Sequence, residues 1–265
     1  MITTLDTIKG QKFLVSTLIA TGFGILFFNF INEQTALLFT DLMFVFTSGS
    51  VAVLSIIVVI QNRLEGYHGK AWALFSSAVI FWFIAEVIWT LYQQVYKIDP
   101  WPSEADFFWL VGYPLFFGFL MYYQRPVHKS ITKKMVVSST LISISILVPL
   151  LYVSYDENLR LNEFENLLGL SYPILNAFVL IPLLIGVFLF FKGKVNFMWI
   201  LMSLGMISFI VSDNWFFLTT LNESYHPGHP LDLLYIWGYV LFSFGLYDHM
   251  KIFHTKTIFH KLDQN

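Results

Sequence analysis

The chain contains no cysteine, which excludes disulfides, thiolate metal sites and a cysteine nucleophile. It is also poor in charge. Only 12% of its 265 residues are Asp, Glu, Lys or Arg, whereas 57% are hydrophobic and 19% aromatic, a balance foreign to an ordinary soluble domain. No lysine or arginine falls deep inside the long apolar stretches, so a retinal-type Schiff base has no amine to form on. Walker, Rossmann, serine-elbow and HExxH signatures are absent, and no nucleic-acid partner is expected. The loops are too short to fold as a soluble domain, so any activity must reside in the apolar segments or their rims.

Eight apolar stretches are long enough to cross a bilayer, at about 13–31, 37–61, 71–96, 105–123, 135–154, 168–191, 196–220 and 231–250. The expected fold is therefore all-α, a polytopic membrane helical bundle of eight transmembrane helices. The first stretch follows a polar lead without a convincing cleavage site and is read as a retained span. Of the 15 lysines and arginines, only Lys97 and Arg160 fall on one side of this arrangement, and the remainder fall on the other. The positive-inside rule then puts both termini in the cytoplasm of a cell-membrane protein. The opposite side is acidic. The loop at 155–167 owes its acids to solvation, but carboxylates within spans require another reason.

The two halves resemble each other. Trp72, Ser76 and Glu86 recur 127 residues later as Trp199, Ser203 and Asp213. Asp106, Gly112, Tyr113, Leu115 and Phe116 recur 126 residues later as Asp232, Gly238, Tyr239, Leu241 and Phe242, consistent with one deletion in the connecting loop. The expected organisation is two four-helix membrane repeats, 1–126 and 127–265, the second ending in a short cytoplasmic tail. A four-span unit keeps its orientation on duplication, so the repeats are expected to run parallel, about an axis near the membrane normal.

The first shared motif is Glu86 with Trp89, matched by Asp213, Asn214 and Trp215. A carboxylate at the centre of a spanning helix costs about 2.5 kcal/mol or more on insertion scales, so such acids face protein or water. They need a hydrogen-bond partner, a proton or a bound cation. Asn29, Asp41, Ser48, Ser50, Asn176 and Asn214 are the candidate neighbours. An interhelical network that merely holds the halves together is the structural alternative to a ligand pocket.

The second motif is Pro102-Ser103-Glu104-Ala105-Asp106, paired with His229-Pro230-Leu231-Asp232. Both read as helix starts: Ser103 with Asp106 fits a capping box, and Pro230 suits a first turn. No cofactor is required by the sequence, but His226, His229 and Asp232 are a candidate divalent-metal set at the rim, unmatched by histidine in the first half. Trp89, Trp101, Trp109, Trp215 and Trp237 either line an aromatic cavity or anchor the membrane interface. Tyr113 and Tyr239 complete the candidate ligand-binding set.

At Pro102–Asp106 followed by Trp109-Leu110-Val111-Gly112-Tyr113-Pro114-Leu115, with Glu86 and Trp89 preceding, the chain resembles the multi-span N-terminal membrane regions of prokaryotic diguanylate cyclases and sensor histidine kinases. The likeness covers roughly 85–120 and, more loosely, 212–247, where His229 and Val240 replace the motif's serine and proline. It implies a multi-span sensory or ligand-binding module, and the leading expectation is an outward-opening pocket between the repeats that binds a small molecule, lipid or cation. Ending at Asn265 without an output domain, the chain would need a separate cytoplasmic signalling partner. The alternatives are an intramembrane enzyme acting on lipid through carboxylates or a His/Asp metal site, and a transporter. Transport would need polar positions continuing to the cytoplasmic side, where the spans have few.

Overall fold

In the computed structural model, which describes residues 4–155, 162–190, 196–222, 224–225 and 228–262, the chain is all-helical. The helices are α1 (Thr4–Ile31), α2 (Glu33–Asn62), α3 (Gly66–Leu91), α4 (Glu104–Gln124), α5 (Lys133–Val153), α6 (Glu163–Phe190), α7 (Asn196–Leu221) and α8 (Asp232–Leu262). A π-helical turn, Tyr92–Tyr96, extends α3, and a 3-10 turn, Arg125–Ser130, follows α4. The starts are set by side chains that satisfy otherwise orphaned backbone N–H groups. Asn32 accepts from the Thr35 amide at 2.8 Å before α2, and Thr132 accepts from the Met135 amide at 3.2 Å before α5.

Seven of these helices, α1 to α7, are long and apolar enough to cross a membrane, which makes this a multi-pass membrane protein. Helix α8 falls outside that set. It carries Tyr235, Trp237, Tyr239, Tyr247, Asp248 and His249 along its first 18 residues, and these lower its apolarity. Two of these, Tyr239 and His249, are buried against other helices, whereas Tyr247 is exposed.

The order of packing is a closed ring: α2 against α3, α3 against α4, α4 against α6, α6 against α7, α7 against α8, and α8 against α2. Helix α1 lies outside the ring against α2 and α8, and α5 lies outside it against α6. The exterior is apolar, with Phe23, Phe30, Leu141 and Phe178 among many exposed large side chains. An exposed apolar belt of this extent is what a lipid-facing surface requires.

Inside the ring, aromatic side chains fill the axis. Phe75 stands between Phe119 (5.1 Å between centroids) and Phe242 (5.6 Å), Phe242 lies over Phe209 (5.6 Å), and Phe209 packs on Trp82 (5.3 Å). Trp72 continues the column through Phe119 to His249. This half of the ring is packed shut. A few polar ties add specificity: Ser55 to Ser76 at 2.9 Å, Gln124 to the Pro182 carbonyl at 2.7 Å, and Trp237 to the Leu18 carbonyl at 3.1 Å.

Candidate functional site

At the end of the ring where α3 connects to α4 and α7 connects to α8, the packing opens into a chamber of about 70 Å³. Its walls follow from helix geometry. Trp82, Glu86 and Trp89 on α3 stand at i, i+4 and i+7, and so occupy one face; Phe209, Asp213 and Phe216 on α7 repeat the same spacing. Asp106, Trp109 and Tyr113 come from the first turns of α4, Asp232 and Tyr235 from the start of α8. Phe44 of α2, Tyr172 of α6, and Trp101 and Tyr225 of the two connections complete the lining. Every lining side chain is aromatic or a carboxylate.

The four carboxylates are buried, none exposing more than 6% of its surface. Each is held by neutral donors. Glu86 accepts from the Tyr239 hydroxyl at 2.7 Å and shares the chamber wall with Trp109. Asp213 accepts from Tyr113 and Asn176 (3.0 Å) on one oxygen and from Tyr235 on the other (2.8 Å). The tyrosine bonds are exchanged: α8 donates to the acid of α3, and α4 donates to the acid of α7.

Asp106 and Asp232 each divide their oxygens between backbone and a phenol. Asp106 accepts from the Ser103 amide at 2.8 Å, closing the capping box of α4, and from Tyr172 at 2.6 Å. Asp232 accepts from the Gly228 amide at 2.9 Å and from Tyr225 at 3.2 Å. Gly228 takes a positive φ of 82°, which turns its N–H towards the carboxylate and suits glycine. Burial, then the charge of Asp232, pushes the Tyr225 phenol well above its ordinary pKa, so Tyr225 remains a donor.

A wider vestibule of about 600 Å³ adjoins the chamber and shares Trp89, Trp101, Phe216 and Tyr225 with it. Its other lining residues include Leu37, Gln93, Lys97, Asp99 and Thr220.

The structure brings Glu86, Trp89, Asp106, Tyr113, Asp213 and Asp232 together at the chamber. Tyr239 stands just behind it, bonded to Glu86. Asn214 and Trp215 are not in the lining. Trp215 is 43% exposed and packs its edge against His229, whereas the next residue, Phe216, is the wall. Of the candidate metal set, His226 lies outside the described residues. His229 contacts Trp215 and Tyr225, and its Nδ1 accepts from the Leu231 amide at 3.2 Å. Among the described residues, no group of three or more His, Asp or Glu is arranged to hold a metal.

Motif reading passed over Trp82, Phe209, Phe216 and Tyr235, although the 127- and 126-residue offsets pair Trp82 with Phe209, Trp89 with Phe216 and Trp109 with Tyr235. Phe44 and Tyr172 carried no such signal, since their helices contain no shared motif. No protein-family model, curated protein or solved structure matches the chain.

Proposed function

We propose that this protein is an integral membrane ligand-binding module, with its pocket opening between two parallel four-helix repeats towards the outer face, and that it serves in sensing. The observation that carries the reading is the chamber itself: a concave, largely aromatic space with convergent polar groups drawn equally from each half, Glu86 and Asp106 from one, Asp213 and Asp232 from the other. The ring order supports duplication, since α2–α3–α4 against α6 is matched by α6–α7–α8 against α2. The exchanged Tyr113–Asp213 and Tyr239–Glu86 bonds support it again. Binding is favoured over transport because the aromatic column of Phe75, Phe242, Phe209 and Trp82 fills the path beyond the chamber. The resemblance to sensory membrane regions favours a signalling role.

Native mass spectrometry of mildly solubilised protein tests the pocket. A stoichiometric small molecule is expected on the wild type and is expected to be lost in Glu86→Gln and in Asp213→Asn. Protein that is empty when released from its own membrane, with both variants indistinguishable from it, would make the four acids purely structural.

The orientation has its own test. The chain has no cysteine of its own, so single cysteines report cleanly. In intact cells, an impermeant maleimide is expected to label Asp99→Cys, on the α3–α4 connection, and to label Ser130→Cys, on the α4–α5 connection, only after permeabilisation. Both positions are exposed. The reverse pattern would invert the bundle and turn the pocket to the cytoplasm.

A further inference from the structure

The wall chemistry narrows what the chamber takes. We infer that its ligand is an organic cation, with a small ammonium head in the chamber and its substituent in the vestibule; this inference rests on the binding reading above. The lining is dominated by aromatic rings, the indoles of Trp89 and Trp109 among them, and aromatic rings attract a positive charge through the ring quadrupole. The four carboxyl groups are partnered only by phenols, an amide and backbone N–H groups, and no lysine, arginine or histidine is in the lining, so a bound cation is the countercharge that would favour their ionised form. An anion would find no cationic partner in this lining, and a neutral apolar guest would gain nothing from its acids. An ammonium group uses both kinds of wall.

A separate observation points to a ligand in the vestibule. Gln93, 6% exposed, is carried by the π turn at the end of α3, and both its amide atoms lack a hydrogen-bond partner among the described residues. A buried amide left unpaired is costly, and π turns recur where a helix aims a side chain at a functional space. Gln93 lines the vestibule and offers it one donor and one acceptor, as a polar substituent on the ligand would use. Lys97, also at the vestibule, donates to Gln94 at 3.4 Å, and Gln94 in turn donates to Asp41 at 2.7 Å. The sizes fit: a chamber of about 70 Å³ suits a methylated ammonium rather than a ring system, and the vestibule of about 600 Å³ accommodates the remainder.

Such a head group exists free in solution and on choline lipids, so the test separates the sources. Purified full-length protein is titrated with choline and with its neutral isostere 3,3-dimethylbutanol, following tryptophan fluorescence and thermal midpoint. It is also compared in phosphatidylcholine and phosphatidylglycerol nanodiscs. Choline binding at least tenfold tighter than the isostere, weakened at least tenfold in Glu86→Gln and in Gln93→Leu, is the expected result for a free ligand. Stabilisation confined to phosphatidylcholine nanodiscs and lost in Glu86→Gln assigns the same chemistry to a lipid. Equal binding of choline and isostere, or choline binding indifferent to Glu86→Gln, overturns the cation while leaving a pocket. No response to either probe or lipid, with an empty native mass spectrum, removes both readings.

Discussion

Replacing Asp213 with alanine is expected to destabilise the protein by at least about 3 kcal/mol, more than any other single change at the chamber. The carboxylate is the common acceptor for Tyr113, Tyr235 and Asn176, three donors from α4, α8 and α6. Each donor left buried and unpaired costs about 1–3 kcal/mol. Asp213→Asn should be far milder. Its amide oxygen can take the place of the oxygen shared by Tyr113 and Asn176, while its NH₂ donates to the Tyr235 hydroxyl, which rotates to accept. Thermal midpoints in one detergent check the order: wild type and Asp213→Asn close together, Asp213→Ala well below. Equal loss in both would mean that charge, rather than the count of hydrogen bonds, holds the site.

The same logic applies across the axis with a smaller effect. Glu86 accepts from Tyr239, so its removal orphans one donor where that of Asp213 orphans three. Both acids tie a helix of one half to a helix of the other. They therefore connect stability of the ring to occupancy of the chamber, and a ligand that engages either acid also bears on the packing of α3 against α8 or α4 against α7.

How much of this was legible depended on the kind of signal. Helix positions were plain, because a bilayer-length apolar run has few alternatives; the stretch read as 105–123 is the helix Glu104–Gln124. The Ser103–Asp106 cap was also plain, being written within four residues. The cost of a carboxylate in lipid likewise turned the acids of the spans inward. Local spacing could not assign neighbouring aromatics, since one residue along a helix turns a side chain by about 100°, enough to carry it from wall to exterior. That is the difference between Phe216, in the wall, and Trp215, beside His229. Tyr172 and Phe44 arrive from α6 and α2 only through tertiary packing, and the crossing of the tyrosine bonds needs the assembled ring.

Glycine supplies the second large expected effect. Gly112 and Gly238, 126 residues apart, lie where α4 and α8 receive the edge of a ring from the preceding helix. A Cβ on Gly112 would fall within the Trp82 indole, and one on Gly238 would meet Phe209 at 2.6 and 2.8 Å. Neither ring has room to retreat. The Trp82 indole is held by its bond to the Trp109 carbonyl at 3.0 Å and packs against Phe116 at 5.7 Å, while Phe209 packs between Trp82 and Phe242. The one open direction is the chamber, whose wall both rings already form. Gly112→Ala is therefore expected to cost about 1–3 kcal/mol by overpacking and to push an indole into the ligand space. Gly118→Ala, on the same helix, meets only the Leu74 side chain at 3.2 Å and should be nearly neutral. Thermal midpoints and choline titration of the two variants separate the effects, and in a Trp82→Leu background the further change Gly112→Ala should cost much less stability than it does in the wild type, without restoring binding. The cost falls because the smaller side chain vacates the volume the new methyl needs, and the double-mutant cycle isolates that contact from general damage to α4. If Gly112→Ala matched Gly118→Ala in both measurements, the ring would not lie against α4, and the chamber floor would have to be built differently.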